Sequence, residues 1–153
     1  MDRTRFMSAL RKGILMTFFS WLTLSPLQAD ELQPEYGISQ TFSIVAVDPA
    51  TGESGVTVTT RVPCVGNGVP WVRAGVGAVA TQASTRTAYG DELLDMLEQG
   101  LSPQDALARA TAADEQAERR QVGLIALDGS SAQHTGTGPG FWAGHRSGVN
   151  YAT

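Results

Sequence analysis

The amino-acid sequence predicts a layered α+β domain. Three observations support this prediction: two strand-like runs flank a turn in residues 41–62, two helical patterns follow in residues 91–110, and residues 122–135 return to a strand pattern. Hairpins on either side of a helical pair favour a sheet whose face is covered by helices. The expected order is two strands, one strand, two helices, two strands and a last strand.

The first hairpin is predicted by residue type and by turn chemistry. Residues 41–47 are mostly β-branched and aromatic, residues 48–52 (Asp-Pro-Ala-Thr-Gly) supply the turn, and residues 55–62 form the second run. Apolar and polar residues alternate in that second run, so one of its faces is apolar. We expect Arg61 on the face opposite Val58.

A buried strand is predicted at the small-residue run from Gly75 to Ala80, which ends at Thr81 and Gln82. A connection rich in Pro and Gly precedes it and leads into residues 71–74. Small side chains allow two backbone segments to approach closely, so this strand is expected in the interior.

Two helices follow. The first begins near Tyr89 and ends at Gly100, a residue that favours the end of a helix. The second begins with Ser102 as N-cap, Pro103 in the first helical position and Asp105 in the place of a capping-box acid. Its buried stripe comprises Ala106, Leu107 and Ala110.

The last third of the chain again has a strand pattern. A hairpin is predicted from residues 122–127 and 132–135, a loop from residues 136–140, and further strands from residues 142–144 and 149–152. The chain stops at Thr153 within a strand-like run, from which we expect a C-terminally truncated product.

Residues 1–29 are predicted to be a cleavable secretory signal peptide. Four basic residues occupy the first twelve positions, an apolar run of eleven residues extends from Ile14 to Leu24, and a small residue, Ala29, marks the cleavage site. An uncleaved anchor is the alternative, but a membrane-spanning helix needs about 20 apolar residues. The protein is therefore expected in the periplasm or outside the cell, without a stable membrane anchor, and residues 30–40 are expected to be a disordered spacer.

Removal of the signal peptide makes the chain acidic. Seven basic and fourteen acidic side chains remain, a net charge of −7, and Lys12 is the only lysine of the sequence. Nucleic-acid binding requires a basic surface for the phosphates, so it is not expected. About 124 residues are enough for one domain with one core.

Cysteine and histidine usage argues against a structural metal or a disulfide. Cys64 is the only cysteine and cannot form an internal disulfide; a small apolar filler is the expected role, and a free thiol or an intermolecular link is the alternative. Two histidines without a Cys/His cluster do not predict a zinc site, and no metal or organic cofactor is expected.

Several strings in residues 41–153 resemble one known family. They are Thr-Phe-Ser-Ile-Val-Ala-Val-Asp-Pro from Thr41, Val-Pro-Trp-Val-Arg-Ala-Gly-Val-Gly-Ala-Val-Ala-Thr-Gln from Val69, Arg-Gln-Val-Gly from Arg120, His-Thr-Gly from His134 and Trp-Ala-Gly-His from Trp142. The sequence resembles the uncharacterised bacterial and archaeal family called domain of unknown function 1028. Family members continue well beyond the position of Thr153, which agrees with truncation.

The resemblance implies a fold and a chemistry. The family is grouped with the N-terminal nucleophile (Ntn) hydrolases, whose fold is a four-layer αββα sandwich, so residues 41–153 would form an incomplete domain of this kind. Such enzymes hydrolyse amides with an N-terminal Thr, Ser or Cys whose own α-amine is the base. Thr41 is the matching residue. Eleven residues, 30–40, would still precede it after signal cleavage, so activity requires a second cut between Gln40 and Thr41.

Three further residues are candidates for the catalytic site. Arg61 would lower the pKa of the amine and stabilise negative charge, and Thr81 and Gln82 would contribute donors to an oxyanion hole. Each has an ordinary structural alternative: Thr41 as a β-branched strand residue, Arg61 as a solvated strand-face cation, and Thr81 and Gln82 as polar residues at a strand end.

His134, His145 and Trp71 are candidates for a substrate pocket. Histidine titrates near neutrality, but an N-terminal nucleophile needs no histidine, so hydrogen bonding within turns is the alternative for both. Trp71 and Trp142 are more typical of cores or pocket walls than of chemistry.

Two functions from different classes follow. The first is an exported amidohydrolase that acts on a small amide or a peptide-like substrate. The second is a catalytically silent envelope or extracellular binding module with the same fold. A homo-oligomer is compatible with either function. A third possibility is that the incomplete sandwich fold is not stable on its own.

Overall fold

A computed structural model describes residues 40–140 and 142–153. The predicted signal peptide and residues 30–39 of the predicted spacer lie outside these residues. The elements, in chain order, are β1 (Thr41–Asp48), β2 (Glu53–Thr60), β3 (Pro70–Arg73), β4 (Gly77–Gln82), α1 (Ala88–Glu98), α2 (Pro103–Ala112), β5 (Gln121–Ala126), β6 (Ser131–Thr135), β7 (Ser147–Gly148) and β8 (Tyr151–Ala152).

The first sheet has the strand order β2-β1-β8-β7. β1 and β2 form the predicted hairpin, in antiparallel register from Thr41 opposite Thr60 to Asp48 opposite Glu53. The second strand has the predicted length but begins and ends two residues earlier than the predicted 55–62. At its end the hydroxyl of Thr60 accepts a hydrogen bond from the amide of Val62 at 3.1 Å. This local turn competes with the strand ladder and ends β2 before Arg61.

The second sheet has the strand order β3-β4-β5-β6, all antiparallel. One strand was predicted at Gly75–Ala80, and this prediction was wrong in its boundaries: β3 and β4 are separate strands joined by a tight turn. The amide of Val76 donates to the carbonyl of Arg73 at 3.0 Å, and Gly75 has φ +78°, a left-handed conformation that glycine adopts without strain. β5 and β6 confirm the predicted second hairpin.

Both predicted helices are present. α1 ends before Gly100, which has φ +88° and donates its amide to the carbonyl of Leu97. Ser102 caps α2: its hydroxyl accepts from the amide of Asp105 at 3.1 Å and donates to the Asp105 carboxylate at 2.7 Å. The predicted stripe of Ala106, Leu107 and Ala110 is buried.

The side chains of β4 divide between two hydrophobic cores. Val79 belongs to the core under the helices, with Leu93, Leu94, Leu107 and Leu124 among its members. Ala78 and Ala80 belong to the core between the two sheets, with Val45, Val47, Ile125 and Ala152. The helices thus cover one face of the second sheet, and the first sheet packs against the other. Alternate residues of β4 point into different layers.

The end of the chain differs from the predicted strands. Trp142 lies in an irregular segment and is 87% exposed, and Val149 lies in the turn between β7 and β8. Asn150 in this turn has φ +64°. β8 pairs with β1 only at Val45 and Ala46.

The described residues confirm a mixed α+β architecture with two helices and two antiparallel sheets. None of the helices in residues 40–140 and 142–153 has the length and apolar character needed to cross a membrane. The predicted filler role of Cys64 is wrong: the residue is exposed, because it lies in the loop after β2 with φ +59°, outside both cores.

Candidate functional site

Thr41 begins β1 with its side chain on the face that meets the second sheet. Ser43, Val45 and Val47, which follow it at every second position, are buried, whereas Phe42 on the opposite face is 52% exposed. The Thr41 hydroxyl lies 2.9 Å from the hydroxyl of Thr60, its cross-strand neighbour. The hydroxyl is therefore held between the two sheets.

Gln82 connects the second sheet to Thr41. This residue ends β4, is 6% exposed, and has the same facing as Ala78 and Ala80. Its Nε2 donates to the backbone carbonyl of Thr41 at 3.0 Å and to Oε1 of Gln121 at 2.7 Å. A primary amide nitrogen has two hydrogens, so neither of them is available to an oxyanion.

The side-chain oxygen of Gln82 is buried and has no hydrogen-bond partner among the described residues. The orientation of the amide is fixed by its surroundings, because a rotation by half a turn would bring this oxygen against the Thr41 carbonyl. A buried acceptor without a partner costs about 1–3 kcal/mol. Buried polar groups in this condition are uncommon in folded proteins.

Gln121 extends the hydrogen-bond network away from Thr41. Its Nε2 donates to the carbonyl of Gly144 at 2.9 Å and to the hydroxyl of Thr135 at 3.1 Å. The Thr135 hydroxyl lies 2.9 Å from Nδ1 of His145. Because the Gly144 carbonyl can only accept, the Gln121 amide is also fixed in orientation. His145 thus forms the outer end of a chain of contacts that begins at Thr41.

Thr81 lies on the other face of β4. Thr81 is fully buried. Its hydroxyl donates to the carbonyl of Arg86 at 3.3 Å, and its backbone amide donates to the carbonyl of Val69 at 3.0 Å. Neither of these donors is directed toward Thr41. Of Thr81 and Gln82, which were predicted to contribute donors to an oxyanion hole, only Gln82 lies at Thr41. The atom of Gln82 that has no partner among the described residues is an oxygen, which accepts hydrogen bonds and does not donate them.

Arg61 follows the end of β2 and is exposed. Within residues 40–140 and 142–153 it forms no ion pair or hydrogen bond with Thr41. The Thr41 hydroxyl is paired with Thr60, which is the last residue of β2. The expected position of Arg61 on the face opposite Val58 stays a prediction, because the residue lies in the bend after β2.

The other two candidates for a substrate pocket pack on the helix side of the second sheet. His134 contacts the carbonyl of Ala117 through Nε2 at 2.8 Å, and Trp71 donates from Nε1 to the carbonyl of Gly68 at 3.0 Å. The Trp71 ring rests on Gly90 of α1, where an added Cβ would overlap it. These two residues support local structure, and only His145 joins the network of Thr41.

The loop after β4 carries backbone strain beside the site. Ala83 and Ser84 have φ +57° and +53°, in a region that non-glycine residues rarely adopt. Arg120 donates to the carbonyl of Ser84 and, through Nε, to the Asp114 carboxylate at 2.9 Å. The Arg120 side chain thereby holds this loop in place next to Gln82.

Asp114 is the central acceptor of a buried polar cluster. The Arg120 guanidinium, aided by the amide of Gln116 and the hydroxyl of Tyr89, holds the pKa of the Asp114 carboxyl well below its ordinary value of 3.8. Burial, together with the hydrogen bond to Asp114, raises the pKa of Tyr89 to about 12. Asp114 is therefore charged and Tyr89 neutral at physiological pH.

Gln121, Arg120 and Asp114 were not singled out by the sequence reasoning. Arg120 and Gln121 occur in one of the strings that carry the family resemblance, which is the signal that could have indicated them. Among the described residues, no group of three His, Cys, Asp or Glu side chains has the arrangement to hold a metal ion.

Comparisons with known proteins identify the family. The profile of the "Family of unknown function (DUF1028)" matches residues 41–153. The chain belongs to this family. A crystal structure of a DUF1028 protein from Silicibacter pomeroyi superposes with a TM-score of 0.71 at 34% sequence identity. The match covers 73% of the present DUF1028 chain and 50% of that protein, so this chain spans about half the length of its relative. No curated protein matched the chain.

Proposed function

We propose that the protein is an exported amidohydrolase of the N-terminal nucleophile type, with Thr41 as nucleophile after cleavage of the Gln40–Thr41 bond. The observation that carries this proposal is the placement of Thr41. Its hydroxyl is paired with Thr60 at 2.9 Å, and its carbonyl is bound by the buried Gln82 at 3.0 Å. A residue that only began a strand would not need both of these contacts.

Access to the peptide bond ahead of Thr41 supports processing. Gln40 is exposed and lies outside β1. Either a protease or the Thr41 hydroxyl would break the bond. In the second case Oγ1 attacks the Gln40 carbonyl carbon, the acyl group moves from nitrogen to oxygen, and water hydrolyses the resulting ester. The products are a carboxylate on Gln40 and a free α-amine on Thr41.

The free amine then serves as the base of the catalytic cycle. Its pKa near 7.7–8.0 in unperturbed chains allows proton transfer at neutral pH. Oγ1 adds to the carbonyl carbon of the substrate amide while its proton passes to the α-amine. The departing amine takes that proton, and water hydrolyses the acyl ester to release the acid and restore the hydroxyl.

The surrounding residues have supporting roles in this scheme. Gln82 holds the backbone of Thr41, and Gln121 holds Gln82. Arg61, exposed beyond β2, contributes a long-range potential that solvent screens. The expected substrate is a small amide or a peptide-like molecule. The same proposal includes the four-layer sandwich of Ntn hydrolases and export of the protein by its signal peptide.

N-terminal sequencing and intact mass of the exported protein test the proposal. The expected mature chain begins at Thr41, and a hydroxyl-directed β-lactone labels it once. Thr41→Ala should abolish both labelling and hydrolysis of acyl p-nitroanilides, and Thr41→Ser should retain them. Thr59→Ala, a change on the exposed face of β2, is the matched control. A chain that begins stably at Asp30, with unchanged hydrolysis in Thr41→Ala, would refute the proposal.

A silent binding module is the second candidate. It is favoured by the peptide bond between Gln40 and Thr41, because an acylated nitrogen cannot act as a base. In this case the unpartnered oxygen of Gln82 would contribute to ligand binding without chemistry. Ligand binding would then survive Thr41→Ala, and the β-lactone would not label the protein.

A further inference from the structure

The backbone of Thr41 presents its nitrogen and its carbonyl oxygen on the same side of β1. In a strand, the N–H and C=O of one residue point to the same side, and the side alternates along the chain. The amide of Val47, six residues further on, donates to the carbonyl of Asn150 next to β8. Thr41 therefore also points toward the β8 side, away from β2.

The side chain of Gln82 occupies that side at Thr41. β8 pairs with β1 only at Val45 and Ala46, and the Thr41 carbonyl is bound by Nε2 of Gln82. The amide group thus lies against the edge of Thr41 that carries both its oxygen and its nitrogen. Its nitrogen is fully used, and its oxygen, attached to the same carbon, is buried without a partner among the described residues.

We propose that Oε1 of Gln82 is the acceptor for the α-amine that appears on Thr41 when the Gln40–Thr41 bond is hydrolysed, so that Gln82 positions the catalytic base. In the uncut chain, the Thr41 nitrogen carries a single hydrogen that is fixed in the peptide plane. Water adds its hydroxyl to the Gln40 carbonyl carbon and its hydrogen to the nitrogen. The resulting amine has at least two hydrogens and rotates about its bond to Cα, which allows it to reach Oε1.

Gln121 acts as a second positioning residue. Its Oε1 accepts from Gln82, and its Nε2 is fixed by the carbonyl of Gly144 and the hydroxyl of Thr135. With this arrangement the Gln82 amide cannot turn its nitrogen toward the new amine. The protonated α-amine of Thr41 therefore faces Oε1 of Gln82 and not the N–H donors of its Nε2.

The inference rests on the proposed function for the cleavage, but the contact can be tested without any substrate. Residues 37–40 of the full chain are replaced by the factor Xa recognition sequence, and the folded protein is cut directly ahead of Thr41. The sequence contains no lysine after Lys12, so the Thr41 α-amine is the only amine of the released domain. The rate of its trace acetylation, measured against pH, gives its pKa.

A carbonyl acceptor favours the protonated amine, so its loss should lower the pKa. We expect Gln82→Met to lower the pKa by about 0.5–1 unit. Gln82→Glu should raise it, because a carboxylate attracts the ammonium. Gln133→Met, the same change on β6, is the control. Arg120 contacts the loop beside Gln82 and His145 contacts Thr135 of the network. Both residues, and the exposed Arg61, remain in each variant.

A second measurement uses the unaltered site. Cutting the factor Xa-cleavable chain that retains Gln82 should shift the side-chain amide resonances of Gln82 in a ¹⁵N-edited NMR spectrum and leave those of Gln133 in place. The inference is overturned if these resonances do not move, or if the pKa of the amine is the same in folded Gln82→Met and wild type. A shifted pKa without any substrate hydrolysis by the cut chain that retains Gln82 would uphold the contact and reject the proposed function.

Discussion

Nε2 of Gln82 lies 3.0 Å from the carbonyl oxygen of Thr41, and this hydrogen bond joins the last residue of β4 to the first residue of β1. The bond connects the two sheets at the end of the domain where the candidate site residues Thr41 and Gln82 lie. Because Gln82 is 6% exposed, water cannot easily replace it. The stability of this end of the domain therefore depends on a few side-chain amides.

Gln82→Met should reduce the free energy of unfolding by about 1–3 kcal/mol, because the Thr41 carbonyl and Oε1 of Gln121 lose a buried donor. Urea denaturation measures this loss. Gln133→Met should change stability by less than about 0.5 kcal/mol. In a double-mutant cycle, Gln82→Met and Gln121→Met should show a coupling of about 1 kcal/mol, and strict additivity would contradict the network.

Thr60→Val should slow β-lactone labelling of the processed protein about tenfold, because the Thr41 hydroxyl loses its partner at 2.9 Å. Valine has nearly the shape of threonine, so the fold is retained. Thr59→Val, on the exposed face of the same strand, is the control. Equal labelling rates in the two variants would show that Thr60 does not orient the nucleophile.

Arg61→Gln should change the hydrolysis rate less than about threefold, because an exposed charge beyond the strand end is screened by solvent and salt. Repeating the measurement in 0.5 M salt should remove most of the difference. A loss of about a hundredfold that persists in salt would instead assign Arg61 a direct contact with the reacting groups.

Asp114→Asn should destabilise the protein by about 1–3 kcal/mol at pH 7, because the partly buried Arg120 loses its charged partner. The folded-state pKa of Asp114 lies below its ordinary 3.8. Its stabilising contribution is therefore complete above about pH 4 and declines as the pH falls further. Urea titrations from pH 7 to pH 2 should show wild type and variant converging in acid, and a constant difference would contradict this.

Gly90→Ala should destabilise the protein by about 1–3 kcal/mol, because the added methyl group overlaps the indole ring of Trp71. Thermal unfolding measures the effect. Trp71→Leu in the same chain should restore part of the loss. Gly66→Ala, at a glycine with open space around it, is the matched control and should be nearly neutral.

Sequence periodicity was sufficient for the β1–β2 and β5–β6 hairpins and for both helices, because these elements depend on local patterns and caps such as Ser102. It failed where local signals were weak. Gly75 divides two strands through its positive φ, and the hydroxyl of Thr60 ends β2 early; neither event changes the hydrophobic pattern.

The candidate site was only partly predictable. The family resemblance indicated Thr41 and Gln82, and the structure brings them into contact. Thr81 precedes Gln82 by one residue, and strand alternation directs it into the other core. Gln121 lies 39 residues from Gln82 in sequence, so only the pairing of β4 with β5 makes its role visible.

A side chain holds the Thr41 carbonyl at a position where a strand ladder would normally supply a backbone donor. Backbone donors are the same for almost every residue type, whereas an amide side chain can be replaced by a single codon change. The position of Thr41 can therefore be adjusted through residue 82 while all main-chain pairings of the two sheets stay as they are. Substitutions there change the placement of Thr41, and with it the stability of this end of the domain, without any change in the backbone ladders.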